Sequence, residues 1–175
     1  MEKIKPGEKA KAFTLPDVNG REHSFSDEES GLVAVIFSCN HCPYVRAWED
    51  RMVEIQSDYE DRGVQFLVIN SNDANKYPAD SPSNMKKRAV EKGFNFPYLR
   101  DETQEVARAY GAERTPEVFL FHDGSLVYHG AIDDNYDDPD AVKQHYLREA
   151  LDAVLAGGKP DPTETGPVGC TIKWK

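Results

Sequence analysis

The sequence predicts an α/β fold: a mixed central sheet flanked by helices, with an N-terminal β-hairpin, a central insert and an extended C-terminal tail. Three observations predict it. Continuous apolar runs at Leu32 to Phe37 and Val64 to Ile69 read as strands buried on both faces. Between them Val45, Trp48, Met52, Ile55 and Tyr59 recur every three or four residues, the spacing of an amphipathic helix, and Gly63 closes that segment. Further on, Glu117 to Phe121 and Leu126 to His129 flank Asp123-Gly124, a hairpin signal that makes the last strands antiparallel.

The remaining elements are read in chain order. Residues 12–25 form a small hairpin around Asn19-Gly20. Asn70 to Ser83 is polar and holds two prolines, so it is a loop with room for one helical turn. Ser83 to Lys92 is a helix ended by Gly93, and Pro97 to Leu99 a short strand. Thr103 to Tyr110 is a helix with Thr103 or Asp101 as its cap and Gly111 as its stop. Pro139 to Leu155 is the last long helix, and the tail from Gly157 shows no periodicity. Strands that alternate with helices are parallel. The chain, 1–175, reads as one domain, with 1–30 as the hairpin extension and 157–175 as the tail.

Composition bounds the function. With 39% hydrophobic residues the chain can bury a full core, far from the disordered regime. A net charge of −10 argues against nucleic acid, whose phosphates need Lys and Arg, and against anionic lipid. No apolar run is long enough to cross a bilayer, and the N-terminus lacks a signal peptide's apolar segment. A cytoplasmic location is the default expectation; oligomeric state is not legible.

The chemistry rests on Cys39 and Cys42. Phe37-Ser38-Cys39-Asn40-His41-Cys42-Pro43 stands where a buried strand ends and a helix begins. A helix N-terminus offers free N–H groups and partial positive charge, which favour the thiolate that attacks disulfides. The two-residue spacing lets the second cysteine resolve a mixed disulfide on the first. Pro43 is compatible with a first helical turn. An imidazolium at His41 would stabilise the Cys39 thiolate. The competing reading is half a zinc site, but such a site needs about four ligands, and His122 and His129 lack the spacing. No metal or cofactor is expected. Cys170 is either an inert thiol or a third redox cysteine. Asn70, Ser71, Asn72 and Asp73 either line the site or serve as turn residues.

Three runs carry a resemblance: the Phe-Ser-Cys-Asn-His-Cys-Pro-Tyr-Val run from Phe37 to Val45, the segment Asn70 to Asp80, and the tail Gly169 to Trp174. The chain resembles the redoxin branch of the thioredoxin superfamily, and more narrowly the peroxiredoxin-like, AhpC/TSA-related proteins of bacteria. The resemblance implies a thioredoxin fold and thiol-disulfide exchange. It also implies a cis Thr115-Pro116 peptide facing the cysteines, with Thr115 pairing to substrate backbone. The chain departs from thioredoxin in having Ser38 before the first cysteine and Val33 in place of a buried aspartate. It departs from peroxiredoxins in having Ile36 in place of a threonine.

The sequence therefore predicts a thiol-disulfide oxidoreductase acting on protein or small-molecule thiols and disulfides. Cys39 attacks, Cys42 resolves, and Thr115 and Pro116 hold the substrate. A helix N-terminus at Cys39, the His41 ring and the lack of an aspartate at Val33 make Cys39 the more exposed and more acidic thiol, and the protein a better oxidant than thioredoxin. The alternatives are a thiol peroxidase and a copper or other metal carrier.

Overall fold

The computed structural model describes residues 2–175. Its centre is a five-stranded sheet, in spatial order β5 (Tyr98–Arg100), β4 (Gln65–Asn70), β3 (Leu32–Ser38), β7 (Glu117–His122), β8 (Ser125–Gly130). β3, β4 and β5 are parallel, while β7 runs antiparallel to β3 and β8 antiparallel to β7. The β7–β8 turn puts Asp123 and Gly124 both at positive φ. Gly124 has a second reason to lack a side chain, since a Cβ there would meet the Asp27 carbonyl oxygen at 1.9 Å. The expected mixed sheet with flanking helices, the thioredoxin arrangement, is what the chain adopts.

β3 is buried along its whole length, so its alternating side chains feed two layers. Ala34 and Ile36 pack with Trp48, Met52 and Ile55 of α1 (Pro43–Glu60), Met85 of α2 (Pro82–Glu91), and Leu147 and Leu151 of α4 (Tyr146–Leu155). Val33, Val35 and Phe37 face the other way. They pack with Val106 and Tyr110 of α3 (Glu105–Tyr110) and with Phe13 and Phe25 of the β1 (Phe13–Pro16)–β2 (Glu22–Phe25) hairpin. The hairpin is thus part of the core, clamped by aromatic contacts of Phe13 with Tyr110 and of Phe25 with Phe121. No helix among the described residues is long and apolar enough to cross a membrane.

Three local expectations change. The last helix starts at Tyr146, not Pro139. Residues Pro139–Ala141 form a single 3-10 turn, and the Gln144 carbonyl is used across the loop by the Asp134 N–H, so the chain there cannot coil. Asp101 does serve α3, but from three residues before Gln104, which occupies the cap position. Its carboxylate accepts from the N–H groups of Val106 and Ala107. The aperiodic tail is docked: β9 (Cys170–Thr171) pairs antiparallel with β6 (Arg114–Thr115), and Ile172 is buried.

Candidate active site

The carboxyl end of β3 delivers Cys39, and α1 begins at Pro43, so the intervening loop is three residues plus the cap, Cys42. Proline at the first helical position holds the residue before it extended, and Cys42 has φ −72° and ψ 127°. Cys42, not Cys39, therefore occupies the helix N-terminus. The loop is held by Asp80, whose Oδ1 accepts the Asn40 N–H at 2.7 Å, and by the Asn40 amide donating to the Ala79 carbonyl at 2.7 Å. Both sulfurs are shielded: Cys39 is 1% exposed and Cys42 0%. Cys39 is not the exposed thiol that a place at the helix start implied. Thr115 lies against it on one side and Asp80 on the other.

The Thr115-Pro116 peptide is cis, and Thr115 touches both cysteines. Its Oγ1 lies 3.5 Å from Cys39 Sγ and its carbonyl oxygen 3.4 Å from Cys42 Sγ. The tail brings a third sulfur. Cys170 Sγ lies 2.6 Å from Cys42 Sγ, and Cys170 pairs in register with Thr115. All three thiols are unbridged.

The acidities of the pair part in the direction opposite to expectation. The hydrogen bond from the Cys39 thiol outweighs burial at Cys42. Help comes from the Cys170 thiol and the backbone N–H groups of Val45 and Cys170, and Cys42 falls to about 4. The Val45 N–H approaches without making a full capping bond. Cys39 is raised well above the ordinary thiol range by that shared hydrogen bond, by burial and by the Asp80 charge. Cys170 is raised to about 11 by burial and by its hydrogen bond to Cys42.

Asp80 is the residue that sequence reading missed. It is fully buried and accepts from Asn40 N, Asn70 Nδ2 and Asn72 Nδ2. Its Oδ2 lies 2.5 Å from His41 Nδ1, a distance that fits an ion pair although the ring N–H is out of line for a hydrogen bond. The His41 ring stacks flat on Tyr77, 5.5 Å between centroids. Val33 removes one carboxylate from the neighbourhood of the cysteines, and Asp80 supplies another from a different loop. The expectation of an unopposed Cys39 thiolate fails for that reason. The signal was present as Tyr77-Pro78-Ala79-Asp80, a 3-10 turn starting at Pro78 that carries Asp80 inward. Asn70 and Asn72 line this loop as buried donors to Asp80, and Tyr98 donates to Asn40 Oδ1 at 2.7 Å, whereas Ser71 donates to Asp101 and Asp73 serves a turn by accepting the Asn75 N–H.

Donor atoms of Cys39, His41 and Asp80 all lie within 4.8 Å of one another. That is one donor fewer than the about four of a closed zinc site. The Asp80 oxygens are already engaged by three N–H donors.

Fold and site together define a redoxin: a thioredoxin-fold protein with clustered cysteines at the carboxyl edge of its parallel strands. The chain belongs to the AhpC/TSA family, whose profile matches residues 6–129. It is 30% identical over 121 residues to the thiol-disulfide oxidoreductase ResA of Geobacillus thermodenitrificans, covering 69% of this chain and 66% of that protein. It is 32% identical to a Mycobacterium tuberculosis protein named "Putative peroxiredoxin Rv2521", over 67% of this chain and 70% of the relative. The chain spans just under two thirds of the ResA proteins it matches. A solved structure of an uncharacterized conserved protein from Geobacillus kaustophilus superposes with a TM-score of 0.92 at 42% identity, over 98% of this chain and 93% of that one.

Proposed function

We propose that this protein is a thiol-disulfide oxidoreductase whose working dithiol is Cys39 and Cys42. The observation that carries the reading is geometric: Thr115, next to the cis proline, meets both sulfurs at the carboxyl end of β3, its Oγ1 3.5 Å from Cys39 Sγ and its carbonyl oxygen 3.4 Å from Cys42 Sγ. The Cys39 proton passes to Cys42, and the Cys39 thiolate attacks an incoming disulfide: the bond from Cys39 to one substrate sulfur forms, the substrate S–S bond breaks, and the first leaving thiolate takes the proton from Cys42. Cys42 then attacks the Cys39 sulfur. The Cys39–Cys42 bond forms, the second substrate thiolate leaves and takes a proton from solvent. The substrate is reduced to two thiols as the dithiol is oxidised. A thiolate as acidic as Cys42 is a weak nucleophile, since nucleophilicity falls with pKa, but attack within one loop offsets this.

The test is reduction of hydroxyethyl disulfide by the protein with glutathione as electron source. Turnover is expected in the wild type and lost in both Cys39→Ser and Cys42→Ser. Full turnover in either variant overturns the assignment. The family match and the named relative favour a second reading, reduction of a peroxide by the same cysteines. Hydrogen peroxide in place of the disulfide tests it, and turnover no faster than with free glutathione removes it. Ile36 speaks against this reading, because no hydroxyl stands there to orient a peroxide.

A further inference from the structure

We propose that Cys170 is a second redox partner of Cys42, so that the disulfide made at Cys39–Cys42 is passed on to Cys42–Cys170. The proposal rests on the functional reading above and adds a way out for the electrons' counterpart, the disulfide, from a site that buries both of its sulfurs.

Four observations carry it. The first is reach: Cys170 Sγ is in contact with Cys42 Sγ, 2.6 Å away, across 128 residues of sequence. The second is placement by backbone. β9 pairs with β6 in the register Thr115↔Cys170, so the cysteine is presented by a strand and not by a wandering end. The third is how firmly that strand is seated. Ile172 donates its N–H to the Glu113 carbonyl, Lys173 donates its N–H to Asn72 Oδ1, the Asp73 N–H returns to the Lys173 carbonyl, and the Arg108 guanidinium lies 4.6 Å from the Trp174 ring centre. Gly169 permits the approach, because a Cβ there would meet the Thr115 carbonyl oxygen at 2.1 Å. The fourth is exposure: Cys39 and Cys42 are closed off, and Cys170 is the one of the three that is partly open to solvent.

The step balances as a thiol-disulfide exchange. Cys170 gives up its proton and its sulfur attacks Cys42 Sγ. The Cys42–Cys170 bond forms, the Cys39–Cys42 bond breaks, and Cys39 departs as a thiolate that takes up a proton. No electrons enter or leave. An external thiol then attacks the partly exposed Cys170 sulfur and expels Cys42. The acidity of Cys42 makes it the better leaving group, so the re-reducing thiol enters at Cys170 and not at the buried hub. The external donor is a low-molecular-weight thiol or a small dithiol, since β9 already fills the β6 edge that an extended polypeptide would need.

The test is disulfide mapping. Reduced protein is oxidised with oxidised glutathione, quenched in acid, blocked with N-ethylmaleimide and digested with trypsin without reductant. No Lys or Arg separates Cys39 from Cys42, so their disulfide stays within one peptide, whereas a bond to Cys170 links two. The linked pair is expected in the wild type and in Cys39→Ser. It is expected to vanish in Cys42→Ser, in Cys170→Ser, and in Gly169→Val, which keeps every thiol but blocks the docking. If Cys39→Ser keeps two free thiols under conditions that close the loop disulfide of the wild type, the relay is wrong and the functional reading stands. If Cys42→Ser shows a Cys39–Cys170 link, Cys42 is not the hub and the relay is wrong. If the wild type forms no disulfide at all, the functional reading itself falls.

Discussion

Cys39 and Cys42 are chemically alike in the sequence and differ in the fold because of what each faces. Cys39 faces a buried carboxylate, and Cys42 faces thiol and N–H donors. The pair itself was legible, since two cysteines between a buried strand and a helix have few other uses. The order of their acidities was not, because it depends first on how the two sulfurs share a proton and on burial, with the charge of Asp80, 41 positions beyond Cys39, adding to the rise at Cys39. The consequence is measurable. Thiolate absorbance of the reduced protein should show one step near 4, several units below the about 8.5 of a free thiol. The step should disappear in Cys42→Ser. In Cys39→Ala the largest stabilising hydrogen bond is gone, so the step should move up by at least about one unit, ~1.4 kcal/mol. An unshifted step in Cys39→Ala would show that the two sulfurs are not coupled.

β6 and β9 were the elements the sequence hid. Each is two residues long, too short for any periodicity, and their pairing joins positions 55 or more apart. The long runs at β3, β4 and α1 were legible because burial on one or both faces leaves a period in the residues. β6 is shaped by Glu117, which is 0% exposed. Burial pushes its carboxyl up, but His129 Nε2 and Lys3 Nζ, each at 2.6 Å, and the N–H groups of Glu113 and Arg114 outweigh burial and hold it below the usual range. A depressed folded pKa contributes stability above the unfolded value of about 4.3, lost as pH falls through the folded one. Glu117→Gln should therefore cost about 3 kcal/mol in urea unfolding at neutral pH, as for a buried ion pair that loses one charge. The deficit should shrink as pH falls below about 4.3. Equal stability of variant and wild type at neutral pH would mean that the carboxylate does not organise the Arg114 to Pro116 turn.

At the scale of the whole molecule the sheet order decides which distant segments meet. β3 is central, with β4 on one side and β7 on the other, so the loops after β3 and β4, the turn before β7 and the docked tail converge on one edge. The layered core and the edge bearing the cysteines could be read from hydrophobic runs, while the meeting of four segments there is a property of topology. One bulk property read from composition also reaches the chemistry. The chain carries a net charge of −10, and a like-charged substrate must approach against that field. Glutathione disulfide is anionic at neutral pH, cystamine is cationic and hydroxyethyl disulfide is neutral. Raising ionic strength shortens the screening length to about 10 Å at 0.1 M and removes much of the long-range term. Oxidation of the reduced protein, followed by stopped flow, should then speed up with salt for glutathione disulfide and slow for cystamine. It should stay level for hydroxyethyl disulfide, which isolates the chemical step from the approach. If all three rates move together with salt, ionic strength is acting on the thiols or on tail docking and not on the encounter, and net charge has no part in the choice of substrate.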